Sequence, residues 1–341
     1  MSHTTSLDAR LALQELKNGY QRYASGQSRI TPERIHEQIK ATAFGQHPLG
    51  IVLACADSRV PPQTIFDQDI GDLFVLRVAG NVADGGILGS IQYAIEHLGT
   101  QLIVVLGHER CGAIQAALSV AAKKDSFAGP LGQLVSGIVP LVEPVYRRGV
   151  LAGLPYGDAS VLDNAVRVNV KRQVAIIRDA LANLGQEKLT LDLWLRRILV
   201  VGARYDLDDG SVEFFSEPTH DRPKRIGLLA KSELGIAVAA DGALLACDGQ
   251  NFDEFELHEA GDGLALKSIH GQFLSAGPGG VAATGLAIGE AERFGLLELG
   301  DKRFALQNFQ GQYLSLGLDG RIGTAAEARE SEYFRIVEVD A

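Results

Sequence analysis

The chain has 341 residues, 46% hydrophobic and 22% charged, with a formal net charge of −10. That length suits two domains, and the composition excludes collagen-like and mostly disordered classes. No apolar run approaches the roughly 20 residues that cross a bilayer, the polar start lacks the pattern of a secretory leader, and the negative balance recommends neither nucleic acid nor an anionic membrane as partner, so a cytoplasmic address is expected.

Residues 6–24 carry Leu11, Leu13, Leu16 and Tyr20 at mixed three and four spacings, which predicts an amphipathic helix. Thr31 followed by Pro32 predicts the capped start of a second helix over 32–43. Short apolar runs follow at 51–54, 73–78, 102–106 and 198–201, as expected of strands buried on both faces of a parallel sheet. Helical patterns at 85–98, 111–122, about 130–147 and 162–184 lie between them, so the expected class is α/β, a mostly parallel sheet flanked by helices. DLDDGSVEFF then reads as a turn and an alternating strand, and the polar stretch around 219–226 as a linker between a domain over 1–218 and another over 227–341.

The second part differs in kind. Residues 219–341 hold 19 acidic against 11 basic side chains and 18 of the 39 glycines. They contain an internal repeat that aligns on Gly235, Gly271 and Gly311, on Gly242, Gly280 and Gly320, and on Phe255, Phe294 and Phe334. Three copies of about 40 residues with short alternating strands predict a closed threefold all-β unit. The pattern resembles the fascin-like branch of the β-trefoil fold. The first copy lacks the aromatic-Leu pair that appears as Phe273-Leu274 and Tyr313-Leu314.

The chemistry concentrates in two short segments. Cys55-Ala56-Asp57-Ser58-Arg59 follows the run 51–54, and Gly107-His108-Glu109-Arg110-Cys111-Gly112 follows the run 102–106. Both lie at the C-terminal ends of predicted parallel strands, where open α/β sheets place ligands. A cysteine at a strand end is, taken singly, more often a small buried hydrophobe. Two such segments at successive strand ends turn the balance, because two thiolates and an imidazole make a zinc set that leaves a fourth position open. The third cysteine, Cys247, has no metal partner near it in sequence and reads as a packed thiol. Three cysteines are too few for a disulfide-stapled fold.

These segments, with ACADSRVPPQTIFDQDIGDLFVLRVAGN (54–81), SIQYAIEHLG (90–99) and VVGARYDLDDGSVEFF (200–215), resemble the β-class carbonic anhydrases over about residues 6–217. The resemblance implies one Zn2+ per chain on Cys55, His108 and Cys111, with the Asp57–Arg59 dyad as the catalytic pair beside it. It implies reversible hydration of carbon dioxide to bicarbonate and a proton by zinc-bound hydroxide, oriented by Asp57, which Arg59 holds and which in this family can instead ligate zinc when released. Two thiolates acidify water less than three histidines would, so activity is expected to rise on the alkaline side. Gln46, Phe74, Ala79 and Tyr93 match the family's substrate pocket, partly across a subunit boundary, which implies a homodimer or a higher even oligomer. Taken without the resemblance, Phe74 and Tyr93 read equally well as core aromatics and Gln46 as a surface residue. Val52 stands where some members carry a Trp of an inhibitory bicarbonate pocket, the sole Trp being Trp194, so that inhibition is expected to be absent. Gln63 stands in place of the family's usual Glu. The rival readings are carbonyl sulfide or carbon disulfide hydrolysis on the same zinc, and a scaffold whose trefoil recognises a carbohydrate or a protein.

Overall fold

A computed structural model of the chain describes residues 8–184, 192–193, 197–215, 225–230, 233–239, 241–248, 251–260, 263–277, 280–298, 303–317, 319–327 and 333–338. The described residues of 1–180 and 197–218 form one compact unit, and those of 181–196 and 219–341 a second.

The first unit opens with α1 (Ala9–Ala24), started by Asp8, whose carboxylate accepts from the Arg10 amide at 2.9 Å. Its buried stripe is Ala9, Ala12, Leu13 and Leu16, a three-and-four pattern that leaves Leu11 59% exposed, unlike the expected stripe. Residues 6 and 7 of the expected helix lie outside the described residues. α2 (Pro32–Ala41) begins as expected, with the Thr31 hydroxyl accepting from the Arg34 amide at 3.2 Å.

Four strands, β1 (Gly50–Ala54), β2 (Leu73–Arg77), β3 (Leu102–His108) and β4 (Leu199–Tyr205), pair in parallel, and β5 (Val212–Phe215) adds antiparallel to β4. Their order across the sheet is β2-β1-β3-β4-β5. The chain leaves β1 toward one edge and returns on its other side as β3, so the topological switch point lies between the C-terminal ends of β1 and β3. Every residue of β1 and β3 is buried, as continuous apolar runs require when helices cover both faces.

Helices α3 (Pro62–Ile65), α4 (Gly85–Leu98), α5 (Gly112–Ala121), α6 (Gly129–Leu151) and α7 (Ala159–Ala182) complete the unit. α3 was not expected, and α6 runs past 147 although it contains Pro140 and Pro144. Both prolines lie on its exposed face, where carbonyls deprived of an N–H partner can meet water. α1 packs on the face that presents Val52, Ala54, Val104, Leu106 and Val201. Strand alternation turns Gly107 and Gly202 to the other face, where α7 lies close. A Cβ on Gly107 would come within 2.5 Å of Val170, and one on Gly202 within 2.9 Å of the same side chain.

The second unit is a twelve-stranded sheet: β6 (Arg225–Ala230), β7 (Gly235–Val238), β8 (Leu244–Cys247), β9 (Phe255–Ala260), β10 (Gly263–Ser268), β11 (Phe273–Gly277), β12 (Gly280–Gly285), β13 (Phe294–Glu298), β14 (Arg303–Asn308), β15 (Tyr313–Leu316), β16 (Ile322–Ala325) and β17 (Phe334–Glu338). Residues 219–224 of the expected linker lie outside the described residues, while Arg225 and Ile226 already belong to β6 and pair with β9. Pairing runs β6-β9-β10-β13-β14-β17 and back to β6, a closed ring of six. Three hairpins, β7-β8, β11-β12 and β15-β16, branch from it. Phe255, Phe294 and Phe334, at equivalent points of the repeat, are 0 or 1% exposed in the core of this unit.

The repeat aligns differently from the expectation at its first glycine. Leu229 pairs with Gly235 as Lys267 pairs with Phe273 and Gln307 with Tyr313. Gly235 therefore stands at the missing aromatic, and Glu233, not Gly235, matches Gly271 and Gly311. Glu233 takes φ 60° where those glycines take 82° and 78°. Phe252 occupies the space of the missing ring, since a Cβ on Gly235 would lie 2.4 Å from it and one on Gly227 2.1 Å. No helix among the described residues is long and apolar enough to cross a membrane.

Candidate metal centre

Cys55 follows the last residue of β1, His108 ends β3, and Cys111 caps α5, so the switch point brings all three side chains together. Their ligand atoms lie within 4.8 Å of one another, and all three residues are buried. The two sulfurs are 4.0 Å apart. Two thiolates on a tetrahedral zinc at ~2.3 Å would be roughly 3.8 Å apart. His108 Nδ1 donates to the Glu109 carbonyl at 2.8 Å, which directs the lone pair of Nε2 toward the sulfurs. Nε2 is buried and, among the described residues, has no hydrogen-bond partner. An orphaned imidazole nitrogen beside two thiols is the arrangement a metal would satisfy.

The thiols differ. The hydrogen bond from Cys111 holds the Cys55 thiol below its ordinary range against the effect of burial, with help from the amides of Gly80 and Asp57. Cys111 is pushed up by its bond to Cys55 and by burial, while the amides of Ile114 and Ala113 at the start of α5 act the other way. A doubly charged cation would favour both thiolates at once.

Asp57 accepts a two-pronged pair from Arg59, Nε to Oδ1 at 3.0 Å and Nη2 to Oδ2 at 2.8 Å, plus the Arg59 amide at 3.0 Å. These bonds hold its carboxyl well below the usual carboxylate range, with the Arg59 side chain the largest cause. Asp57 Oδ2 lies 3.9 Å from His108 Nε2, so the dyad borders the ligand trio.

The other expected residues fall into two groups. Ala79 opens the turn Ala79–Asn81, whose Gly80 amide donates to the Cys55 sulfur at 3.4 Å. Phe74 and Tyr93 stack on one another with centroids 6.4 Å apart, and Tyr93 is 49% exposed. Gln46 is exposed in the loop before β1. Among the described residues no hydrogen bond or ring contact joins Gln46, Phe74 or Tyr93 to the ligand trio. Trp194 lies outside the described residues, and Val52 is buried in β1.

Sequence reasoning missed three contributors. Arg77 donates to the Cys55 carbonyl at 3.0 Å and also to the Asp57 carbonyl, fixing the loop that carries both side chains. A charge inside the otherwise apolar run 73–78 was its signal. Gly80 and its partner Asn169 on α7 had no local signal.

The Carbonic anhydrase family model matches residues 50–212. Carbonic anhydrase 2 of Mycobacterium tuberculosis is 39% identical over 199 residues, which is 58% of this chain and 89% of that relative. The chain belongs to the carbonic anhydrase family. The carbonic anhydrase of Mycolicibacterium smegmatis is 37% identical over 205 residues, 60% of this chain and 92% of that one. A solved β-carbonic anhydrase of Aspergillus fumigatus aligns with a TM-score of 0.45 at 26% identity, over 61% of this chain and 93% of that chain. Carbonic anhydrases of the β class are zinc enzymes, and Cys55, His108 and Cys111 of this carbonic anhydrase form a group that could hold the metal.

Proposed function

We propose that the first domain, residues 1–218, is a β-class carbonic anhydrase that interconverts carbon dioxide and water with bicarbonate and a proton. The observation that carries this reading is the buried Cys55–His108–Cys111 trio with an orphaned Nε2. When bound there, zinc supplies Lewis acidity that makes hydroxide available near neutral pH. The chain's own residues do the rest. Asp57 Oδ2 accepts a hydrogen bond from the attacking water and aims its lone pair at the carbon. Arg59 keeps Asp57 ionised and holds its carboxylate in a fixed orientation beside the trio. The water oxygen bonds to the carbon of carbon dioxide, and the proton it sheds leaves to buffer.

Ala79 and the Phe74–Tyr93 pair form the apolar wall of the substrate pocket in this reading, with Gln46. The exposure of Gln46 and Tyr93 supports their serving the site of a neighbouring subunit, in a homodimer or a higher even oligomer. The second domain is a β-trefoil beginning at Arg225, supported by the closed ring of six strands with three hairpins, and it serves as a binding or targeting module. Stopped-flow hydration of carbon dioxide by the zinc-loaded chain at about pH 8.5 tests the enzymatic reading. One bound zinc per chain with no acceleration over buffer would overturn it.

A further inference from the structure

Gly80 is held from both ends. Its amide donates to the Cys55 sulfur at 3.4 Å, and its carbonyl accepts from Asn169 Nδ2 at 2.9 Å. Asn169 is 1% exposed on α7, one turn before Gln173, which is 3% exposed. Gln173 Nε2 donates to Asn169 Oδ1 at 3.1 Å, and Gln173 Oε1 accepts from the Ala83 amide at 2.9 Å. These bonds fix which end of each amide is the donor. The pair thus grips the segment 80–83 at two points. The neighbouring α7 positions Val166, Val170 and Val174 are buried and apolar, so the two amides are polar side chains set in an otherwise apolar face. Two buried amides that spend their hydrogen bonds on one turn are satisfied only while that turn keeps its shape.

That shape needs support. Gly80 has φ 71°, and the turn is a single 3-10 winding closed by the Asn81 amide on the Val78 carbonyl at 3.0 Å. The glycines at 107 and 202 let α7 approach closely enough for Asn169 to reach it. An N–H aimed at a thiolate ligand withdraws charge from sulfur and limits the directions the side chain can take, and losing such outer partners commonly costs about 10–100-fold in metal affinity or activity.

We propose that Asn169, braced by Gln173, is a positioning residue of the metal centre: it holds the Gly80 turn so that the Gly80 amide bonds to the Cys55 sulfur. The inference rests on Cys55 being a zinc ligand, and the test separates the two ideas. Full-length wild type, Asn169→Ala and Gln173→Ala are loaded with cobalt(II) in place of zinc, and the sulfur-to-cobalt charge-transfer band is recorded. Zinc release to a competing chelator is then timed on the zinc-loaded proteins, along with thermal unfolding. Removing the N–H bond raises the energy of the sulfur electrons, so Asn169→Ala should move the band to longer wavelength and speed zinc release about tenfold or more. Gln173→Ala should shift both in the same direction by less, and it decides the matter if Asn169→Ala does not fold. A lowered melting temperature with an unchanged band and release within twofold of wild type would make the pair merely structural and overturn the inference. Absence of the band in wild type would instead remove Cys55 as a ligand, and the inference with it.

Discussion

Gly80→Ala perturbs the turn that carries the amide facing Cys55, and its cost can be worked from the geometry. At φ 71° an alanine pays for a left-handed backbone, about 1–2 kcal/mol. Its Cβ would lie 2.8 Å from Ile138 Cδ1 and 3.3 Å from Ala113 Cβ. The end of Ile138 can swing while Ala113 cannot, so overpacking adds about 1–2 kcal/mol, the low half of its usual range. Alanine also narrows the unfolded ensemble, which returns about 0.4–1 kcal/mol. The net destabilisation should be about 1–3.5 kcal/mol, read as a lowered urea midpoint at constant m-value. Gly112→Ala is the matched control, because no atom lies within 4 Å of the Cβ it would add and the residue opens helix α5. That variant should be neutral or up to about 1 kcal/mol more stable. Equal stabilities for the two variants, or a loss below about 0.5 kcal/mol for Gly80→Ala, would refute the claim that this turn is built around a glycine.

Cys55→Ser and His108→Ala should each reduce bound zinc from one per chain to a small fraction after dialysis against a weak chelator, measured by atomic emission; full retention in both would exclude the trio. Asp57→Asn should lower the hydration rate by about 100-fold, in the range of a lost hydrogen-bonding partner that orients the reacting group. Because Asp57 is held well below the usual carboxylate range, it stays ionised from about pH 5 upward, so the substitution should scale the pH–rate profile without moving its acid limb; a moved limb would contradict this. The same depression has a sign for folding: the contribution of Asp57 to stability is fully present above its unfolded pKa of ~3.9 and lost as pH falls toward its depressed folded value, so the stability difference between wild type and Asp57→Asn should be constant above about pH 5 and shrink progressively below about pH 4. Phe294→Ala removes a fully buried ring from the second unit and should cost about 3–5 kcal/mol of its stability by calorimetry.

The sheet and the Cys55–His108–Cys111 trio were legible because both are written locally. Apolar runs buried on both faces name their own strands, and a side chain placed directly after such a run inherits the strand's position, as Cys55 and His108 do. Asp57 and Arg59 are two residues apart, close enough to pair whatever surrounds them. What failed to show were contacts between distant segments. Asn169 lies 89 positions from Gly80, in a helix whose apolar period is complete without it. Only the approach of α7 past Gly107 and Gly202 makes the two meet.

The repeat shows the same limit from the other side. Aligning it on identical letters placed Gly235 opposite Gly271 and Gly311, yet the strand register places Glu233 there. What recurs is a backbone conformation, a left-handed residue that closes each hairpin after a bond to the carbonyl three positions earlier, Glu233 to Ala230, Gly271 to Ser268 and Gly311 to Asn308. Glycine adopts that conformation at the least cost, so two copies show it as a letter and the third conceals it. The spacing held the correction all along: 38 and 40 between Glu233, Gly271 and Gly311 repeats the 38 and 40 of Gly242, Gly280 and Gly320, whereas the alignment on Gly235 does not. Glu233→Gly should therefore hold or slightly raise the stability of the second unit, by at most about 1 kcal/mol, since it relieves a left-handed non-glycine residue at the loss of an exposed ion pair to Arg335. A loss of more than about 1 kcal/mol would mean that the Glu233 side chain, not its backbone, is what that copy of the repeat preserves.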